Sequence, residues 1–147
     1  MADPLHIVNT QALVVRDGRF LMIVRGESEE HAPGALSPPG GKVEHGEDAT
    51  GVLEDTLRRE VLEETGVSVG EVAYIRSSRF TTDRGTPVVD SAFLCQYKRG
   101  EAYAADPDEV ASVEWLTAEE IEAHPRTQPW TLATVRAAEA LRLQLAW

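Results

Sequence analysis

Two short segments carry most of the information in this sequence: residues 39–47 read PGGKVEHGE and residues 59–67 read REVLEETGV. In the second segment the spacing of Glu60, Glu63 and Glu64 places all three carboxylates within an arc of about 100° on one face of a helix. Like charges crowded in this way destabilise a helix unless a cation lies between them. Carboxylate oxygens suit Mg²⁺ or Mn²⁺ better than zinc, so the pattern predicts a site for a hard divalent cation.

The residues around these glutamates favour the same interpretation. Gly40 and Gly41 have no side chains, so their backbone can approach a metal or a phosphate closely and present a carbonyl as a ligand. Arg59 can hold a neighbouring carboxylate in one rotamer through its planar guanidinium. Taken alone, clustered glutamates usually indicate a solvated helix face. The glycines and Arg59 at these positions favour a functional site instead.

The helix that carries the glutamates is predicted from about Val52 to Glu64. Leu53, Leu57 and Val61 repeat every four residues, which would pack this helix against a core. Gly66 is predicted to end it in the left-handed conformation. Before it, residues 26–46 contain three prolines and five glycines, which predicts a structured loop without regular elements.

The rest of the chain predicts strands first and helices last. Residues 12–15 and 20–24 form a hairpin around Asp17-Gly18, and residues 72–75, 88–97 and 112–115 are further strands. Thr117 and Glu120 form a capping box for a helix over residues 118–123. The tail from 131 to 145, with Leu132, Val135, Leu141 and Leu145 at helical spacing, predicts an amphipathic helix. This order favours an α/β fold with a mixed sheet covered by helices over a doubly wound parallel sheet.

Composition limits the classes of function. The chain has 147 residues, with 14 Lys and Arg against 25 Asp and Glu, a net charge of −11. We expect one domain over residues 1–147 and no general attraction to nucleic acid polymers or anionic membranes. The single cysteine, Cys95, and the absence of a long apolar stretch or a signal-peptide pattern predict a cytoplasmic protein.

With these residues, the chain resembles the Nudix hydrolase family. The family signature is a glycine, five residues, a glutamate, seven residues, and then Arg-Glu, an aliphatic residue, any residue, Glu-Glu, any residue, Gly and an aliphatic residue. The matching residues are Gly41, Glu47, Arg59, Glu60, Val61, Glu63, Glu64, Gly66 and Val67. One departure is that eleven residues separate Glu47 from Arg59 where the signature has seven. Because Gly51 falls among them, we expect a longer loop before the helix, not a longer helix.

The resemblance implies a Nudix-like α/β/α sandwich with a central mixed β-sheet and the motif's loop and helix. It also implies Mg²⁺-dependent hydrolysis, with Mn²⁺ as a substitute, of a phosphoanhydride bond in a nucleoside diphosphate linked to another group. Asp108 or Glu109 could add a carboxylate from outside the motif. The site residues that it implies are Gly41, Glu60, Glu63 and Glu64 at the metal, Glu63, Glu60 and Arg59 in catalysis, Arg25, Lys42 and Arg79 at phosphates, and Gly40, Glu47 and Gly66 as structural positions.

The substrate is less well defined by the resemblance. Members selective for ADP-ribose or dinucleoside polyphosphates tend to carry a proline or tyrosine at the positions that Asp83 and Arg84 occupy here. The absence of that residue favours a nucleoside triphosphate or a modified nucleotide as the substrate. The alternatives are an ADP-ribose or dinucleoside polyphosphate pyrophosphatase, a non-catalytic nucleotide-binding sensor module, and an acidic metal-binding protein without phosphate chemistry. Many members form homodimers, and the sequence leaves that point open.

Overall fold

The computed structural model describes residues 3–147 and forms, within that range, seven strands and three helices. None of those helices is long and apolar enough to cross a membrane. In chain order the elements are β1 (Ile7–Arg16), β2 (Arg19–Arg25), β3 (Leu36–Ser37), β4 (Gly40–Lys42), α1 (Val52–Thr65), β5 (Ser68–Thr81), β6 (Pro87–Arg99), β7 (Val110–Leu116), α2 (Ala118–Ala123) and α3 (Pro129–Leu145).

The strands form one mixed sheet. Its central order is β3-β2-β1-β6-β5, with β4 added to β1 and β7 added to β2. β1 and β6 run parallel, with Val8 opposite Val89, and the other pairs are antiparallel. The predicted mixed sheet is therefore confirmed.

Side-chain alternation along β1 divides the core into two halves. Leu13 and Val15 point to the side covered by α2 and α3, where they pack with Ile121. Ala12 and Val14 point to the opposite side, which α1 covers. Because successive residues of a strand face opposite sides of the sheet, both faces are apolar and both need a helical layer. The result is the predicted α/β/α sandwich.

Two local signals produce the structures that they predict. Asp17 and Gly18 have φ values of 50° and 73°, as a two-residue type I′ hairpin turn requires. The hydroxyl of Thr117 accepts a hydrogen bond from the Glu120 amide, and the Glu120 carboxylate accepts one from the Thr117 amide, so the capping box is complete.

The prediction that residues 26–46 contain no regular element is wrong. β3 pairs with β2, and β4 pairs with β1 through Thr10 opposite Gly41. These strands are two and three residues long, and tertiary pairing holds them in place rather than local preference. The buried face of α3 also differs in part from the predicted apolar positions. Leu145 is 40% exposed, and the buried residues are Thr131, Thr134, Val135 and Ala138.

α1 is anchored to the sheet by the predicted apolar row. Leu57 and Val61 are fully buried, and Leu53 packs beside them. The helix is bounded by Gly51 with φ 67° and Gly66 with φ 74°. The four extra residues therefore lie in the loop before α1, as expected, and leave the register of the helix intact.

If this row anchors α1, Leu57→Ala should lower the free energy of unfolding by about 2–5 kcal/mol, because it leaves a cavity between the helix and the sheet. Leu62→Ala is the matched control, since Leu62 lies on the same helix and is 51% exposed. It should change stability by less than about 0.5 kcal/mol. Urea unfolding followed by circular dichroism measures both, and equal effects would contradict the assigned packing.

Candidate metal and substrate site

Three carboxylates meet at one end of α1. One oxygen from each of Glu60, Glu64 and Glu109 lies within 4.8 Å of the other two. Glu60 and Glu64 are one helical turn apart, so the register of α1 brings them together. Of the two acidic residues considered before the last strand, Glu109 joins the cluster and Asp108 does not.

The segment before β7 is tied to α1 by backbone hydrogen bonds. The Tyr103 amide donates to the carbonyl of Thr65, and the Ala105 amide donates to the carbonyl of Glu64, each at 3.0 Å. At the other end, the Gly26 amide donates to the Glu109 carbonyl at 2.8 Å. These contacts join residues far apart in the chain, so no local sequence pattern could have selected Glu109.

β4 lies against the same carboxylates. The Gly40 amide donates to Oε1 of Glu64 at 3.2 Å. A Cβ atom on Gly41 would lie 2.3 Å from Cδ of Glu60, so any side chain at this position would displace that carboxylate. The Thr10 hydroxyl donates to the Gly41 carbonyl at 3.1 Å and orients it. Gly41 is therefore required by the close approach of the backbone to the Glu60 carboxylate, and Gly40 by the β1 backbone, because a Cβ atom there would lie 1.9 Å from the Thr10 carbonyl oxygen.

Burial changes the protonation of the cluster. Glu64 is 4% exposed, and this burial, together with the charge of Glu60, raises its pKa to about 9, while the Gly40 amide opposes the rise. Burial also raises the pKa of Glu60 and of Glu109. Three carboxyl groups that resist ionisation together, next to an oriented carbonyl, form an oxygen-only donor set that fits a hard divalent cation.

A cleft of about 330 Å³ extends from the cluster along β1 and β2. Two of the predicted phosphate-binding residues, Arg25 and Lys42, line it. Arg79 does not; it lies on β5, where its Nε donates to Nε2 of His6 at 3.0 Å. The structure therefore places two of the three predicted cations beside the carboxylates.

A family model described as the NUDIX domain matches residues 6–137. The chain belongs to the Nudix family. This confirms the resemblance seen in the sequence, and the match covers both halves of the motif and the strands on either side of it.

Individual relatives agree with this assignment. Over 132 residues the chain is 31% identical to Nudix hydrolase 19, chloroplastic, of Arabidopsis thaliana, covering 81% of this chain and 25% of the relative. Over 103 residues it is 30% identical to the NAD-capped RNA hydrolase NudC of Salmonella paratyphi C (strain RKS4594), covering 70% and 37%. The MutT protein from Methanosarcina mazei Go1 superposes with a TM-score of 0.77 at 22% identity, covering 97% and 99%. The chain thus spans well under half of the length of these two curated relatives and nearly all of the Methanosarcina mazei protein.

The partners of Arg59 do not include the loop glutamate of the Nudix motif in the described part of the chain. Nη1 of Arg59 lies 3.0 Å from Glu60, 3.2 Å from Glu63 and 3.7 Å from Glu44. Glu47, the motif position, is exposed and is not among the ion-pair partners of Arg59 in the described part of the chain. Glu63 lies outside the three-carboxylate cluster, and its side chain is 55% exposed.

The raised pKa of Glu64 predicts how the stability of this Nudix domain depends on pH. A glutamate in the unfolded chain ionises near 4.5, whereas Glu64 in the fold keeps its proton up to about 9. The unfolded state therefore binds fewer protons between these values, and stability falls as pH rises through them. We expect the melting temperature in EDTA to fall over this range, and to fall less in Glu64→Gln.

Divalent cations should reverse this trend, because a cation replaces the proton on Glu64. Added Mn²⁺ or Mg²⁺ should raise the melting temperature of the wild type most at the alkaline end and raise that of Glu64→Gln much less. If the melting temperatures of the wild type and Glu64→Gln depend on pH and on metal in the same way, the assignment of Glu64 as the group that binds the proton or the cation is contradicted.

Proposed function

We propose that this chain is a divalent-metal-dependent hydrolase that cleaves a phosphoanhydride bond in a nucleoside diphosphate derivative. A nucleoside triphosphate or a modified nucleotide is the proposed substrate class. The observation that carries the proposal is the convergence of Glu60, Glu64 and Glu109, with Glu60 and Glu64 lying against the glycine backbone of β4. Family membership supports it, since the relatives described above include proteins named as hydrolases.

In this proposal Glu60, Glu64 and Glu109 hold the metal, together with the carbonyl of Gly41. When bound, a divalent cation neutralises the diphosphate and lowers the pKa of coordinated water. Such help is needed here because the cleft is lined by two cations, Arg25 and Lys42, against five carboxylates, namely Glu29, Glu44, Glu60, Glu64 and Glu109. A polyphosphate would be repelled by this lining without a counterion.

The third motif glutamate of α1, Glu63, is the proposed general base. Glu63 is solvent-accessible, next to the cluster in sequence, and bonded to Nη1 of Arg59. Its carboxylate would accept the proton of the attacking water as the water oxygen bonds to phosphorus and the bridging oxygen leaves with the departing phosphate. Arg59 would hold Glu63 in place, and Arg25 and Lys42 would bind non-bridging phosphate oxygens.

The non-catalytic alternative, a nucleotide-binding sensor, remains a candidate to be tested. Against it stands the retention of every carboxylate of the motif, Glu47, Glu60, Glu63 and Glu64. A module that only bound nucleotides would not require a base as well as metal ligands.

The direct test is turnover of a panel of nucleoside triphosphates, ADP-ribose, NAD, nucleotide sugars and dinucleoside polyphosphates with Mg²⁺ and Mn²⁺. We expect one class to be hydrolysed only with metal, and Glu64→Gln to reduce the rate by about a hundredfold or more. Even the mutation of a residue that only hydrogen-bonds to a metal ligand lowers metal affinity or activity by about 10–100-fold. Glu71→Gln, an exposed glutamate on β5, is the control and should be unaffected.

Two outcomes would contradict the proposal. A folded wild type that gains thermal stability from a nucleotide but hydrolyses none of the panel would favour the sensor. Metal-dependent turnover that survives Glu64→Gln would show that the reaction takes place at another site.

A further inference from the structure

The guanidinium of Arg25, the last residue of β2, is fixed by the loop that follows this strand. Nε donates to the backbone carbonyl of His31 at 2.9 Å, and Nη2 donates to Glu29 at 3.2 Å. The side chain is 26% exposed and lines the cleft. These bonds use two of its five N–H groups and leave three for a ligand. Arg25 is therefore oriented before any ligand arrives.

The loop that holds Arg25 is itself held by the end of the β5–β6 hairpin. The ring of Phe80, near the end of β5, stacks on the ring of His31 with 5.5 Å between centroids and 20° between planes. A second link joins Arg84 to Glu30 at 3.1 Å, but both side chains are more than 70% exposed, so this pair contributes little. Of these two links, the aromatic stack is therefore the one expected to restrain the loop.

Phe80 and His31 are not among the side chains that line the cleft in the described part of the chain. The stack connects Phe80 to the cleft through His31, because the His31 carbonyl accepts the hydrogen bond from Nε of Arg25. A stacked ring pair restrains the backbone of the residue that carries it. That restraint reduces the conformational freedom that Arg25 would lose on binding an anion.

We propose that Phe80 is a positioning residue for phosphate binding, acting through the His31 carbonyl to preorganise the Arg25 guanidinium. The inference rests on the proposed function only in taking Arg25 as a ligand of phosphate oxygens. It assigns a role in substrate affinity to the β5–β6 hairpin, which lies outside the motif and outside the cleft.

Inorganic pyrophosphate with Mg²⁺ is the probe, because it has phosphates but no base on which Phe80 could stack. Calorimetric titration should show about three- to tenfold weaker binding for Phe80→Leu, and weaker binding still for Arg25→Gln. In the double variant, Phe80→Leu should add nothing to Arg25→Gln. Phe80→Tyr keeps the ring and should restore wild-type affinity.

Two further variants serve as checks. His31→Leu removes the other ring of the stack and should match Phe80→Leu, so a folding defect in one variant does not decide the outcome. Tyr74→Leu, an exposed aromatic residue on the same strand that contacts Phe93, should bind pyrophosphate like the wild type. In turnover, Phe80→Leu should raise the KM and leave kcat unchanged.

The proposal is overturned if Phe80→Leu leaves pyrophosphate affinity unchanged, or if its effect and that of Arg25→Gln are additive. It is also overturned if Phe80→Leu weakens binding of nucleoside diphosphates alone, since the ring would then contact the base. Failure of the hydrolase proposal is distinguishable: no member of the substrate panel would be cleaved, while pyrophosphate binding would still follow the predicted pattern.

Discussion

The contact between the carboxylates of α1 and the glycine backbone of β4 determines what the rest of the fold must provide. Glu64 is 4% exposed and lies within 4.8 Å of two other carboxyl groups. Burying ionisable groups in this way costs stability. The burial of Leu57 and Val61 between α1 and the sheet offsets that cost. The same packing fixes the position of α1 along the sheet, and therefore where Glu60 and Glu64 meet β4. Packing and site geometry are therefore one constraint.

The two sides of the cleft differ in how firmly they are built. The carboxylate side consists of a helix and two paired strands, with only Glu109 supplied by a loop, and this loop is hydrogen-bonded to the carbonyls at the end of α1. The opposite side consists of Arg25 and a loop without regular structure, residues 26–35. Rigid elements suit a reaction that tolerates little displacement of its ligands. A loop held by contacts such as the stack of His31 on Phe80 can change in sequence without displacing the three carboxylates.

Sequence patterns predicted the parts of the fold that depend on neighbouring residues. The Asp17-Gly18 turn, the Thr117 and Glu120 capping box, and the ends of α1 follow from local chemistry and were all confirmed. β3 and β4 were missed because strands of two or three residues exist only through their partners. The sequence indicates Asp108 or Glu109 as an additional carboxylate but cannot distinguish between them, and it cannot show that Arg79 lies outside the cleft. Both questions concern distances between segments that are remote in the chain.

The four-residue insertion separates two kinds of motif position. Glu60, Glu64 and Gly41 act through the register of a helix and the pairing of a strand, and neither changes when a connecting loop lengthens. Glu47 belongs to that loop and is exposed, and Glu44, also in the loop, lies 3.7 Å from Nη1 of Arg59. Arg59 needs a carboxylate at a suitable distance, not one at a fixed place in the sequence. In this chain the contacts of the glycine and helix positions therefore do not depend on the length of the loop that contains Glu47.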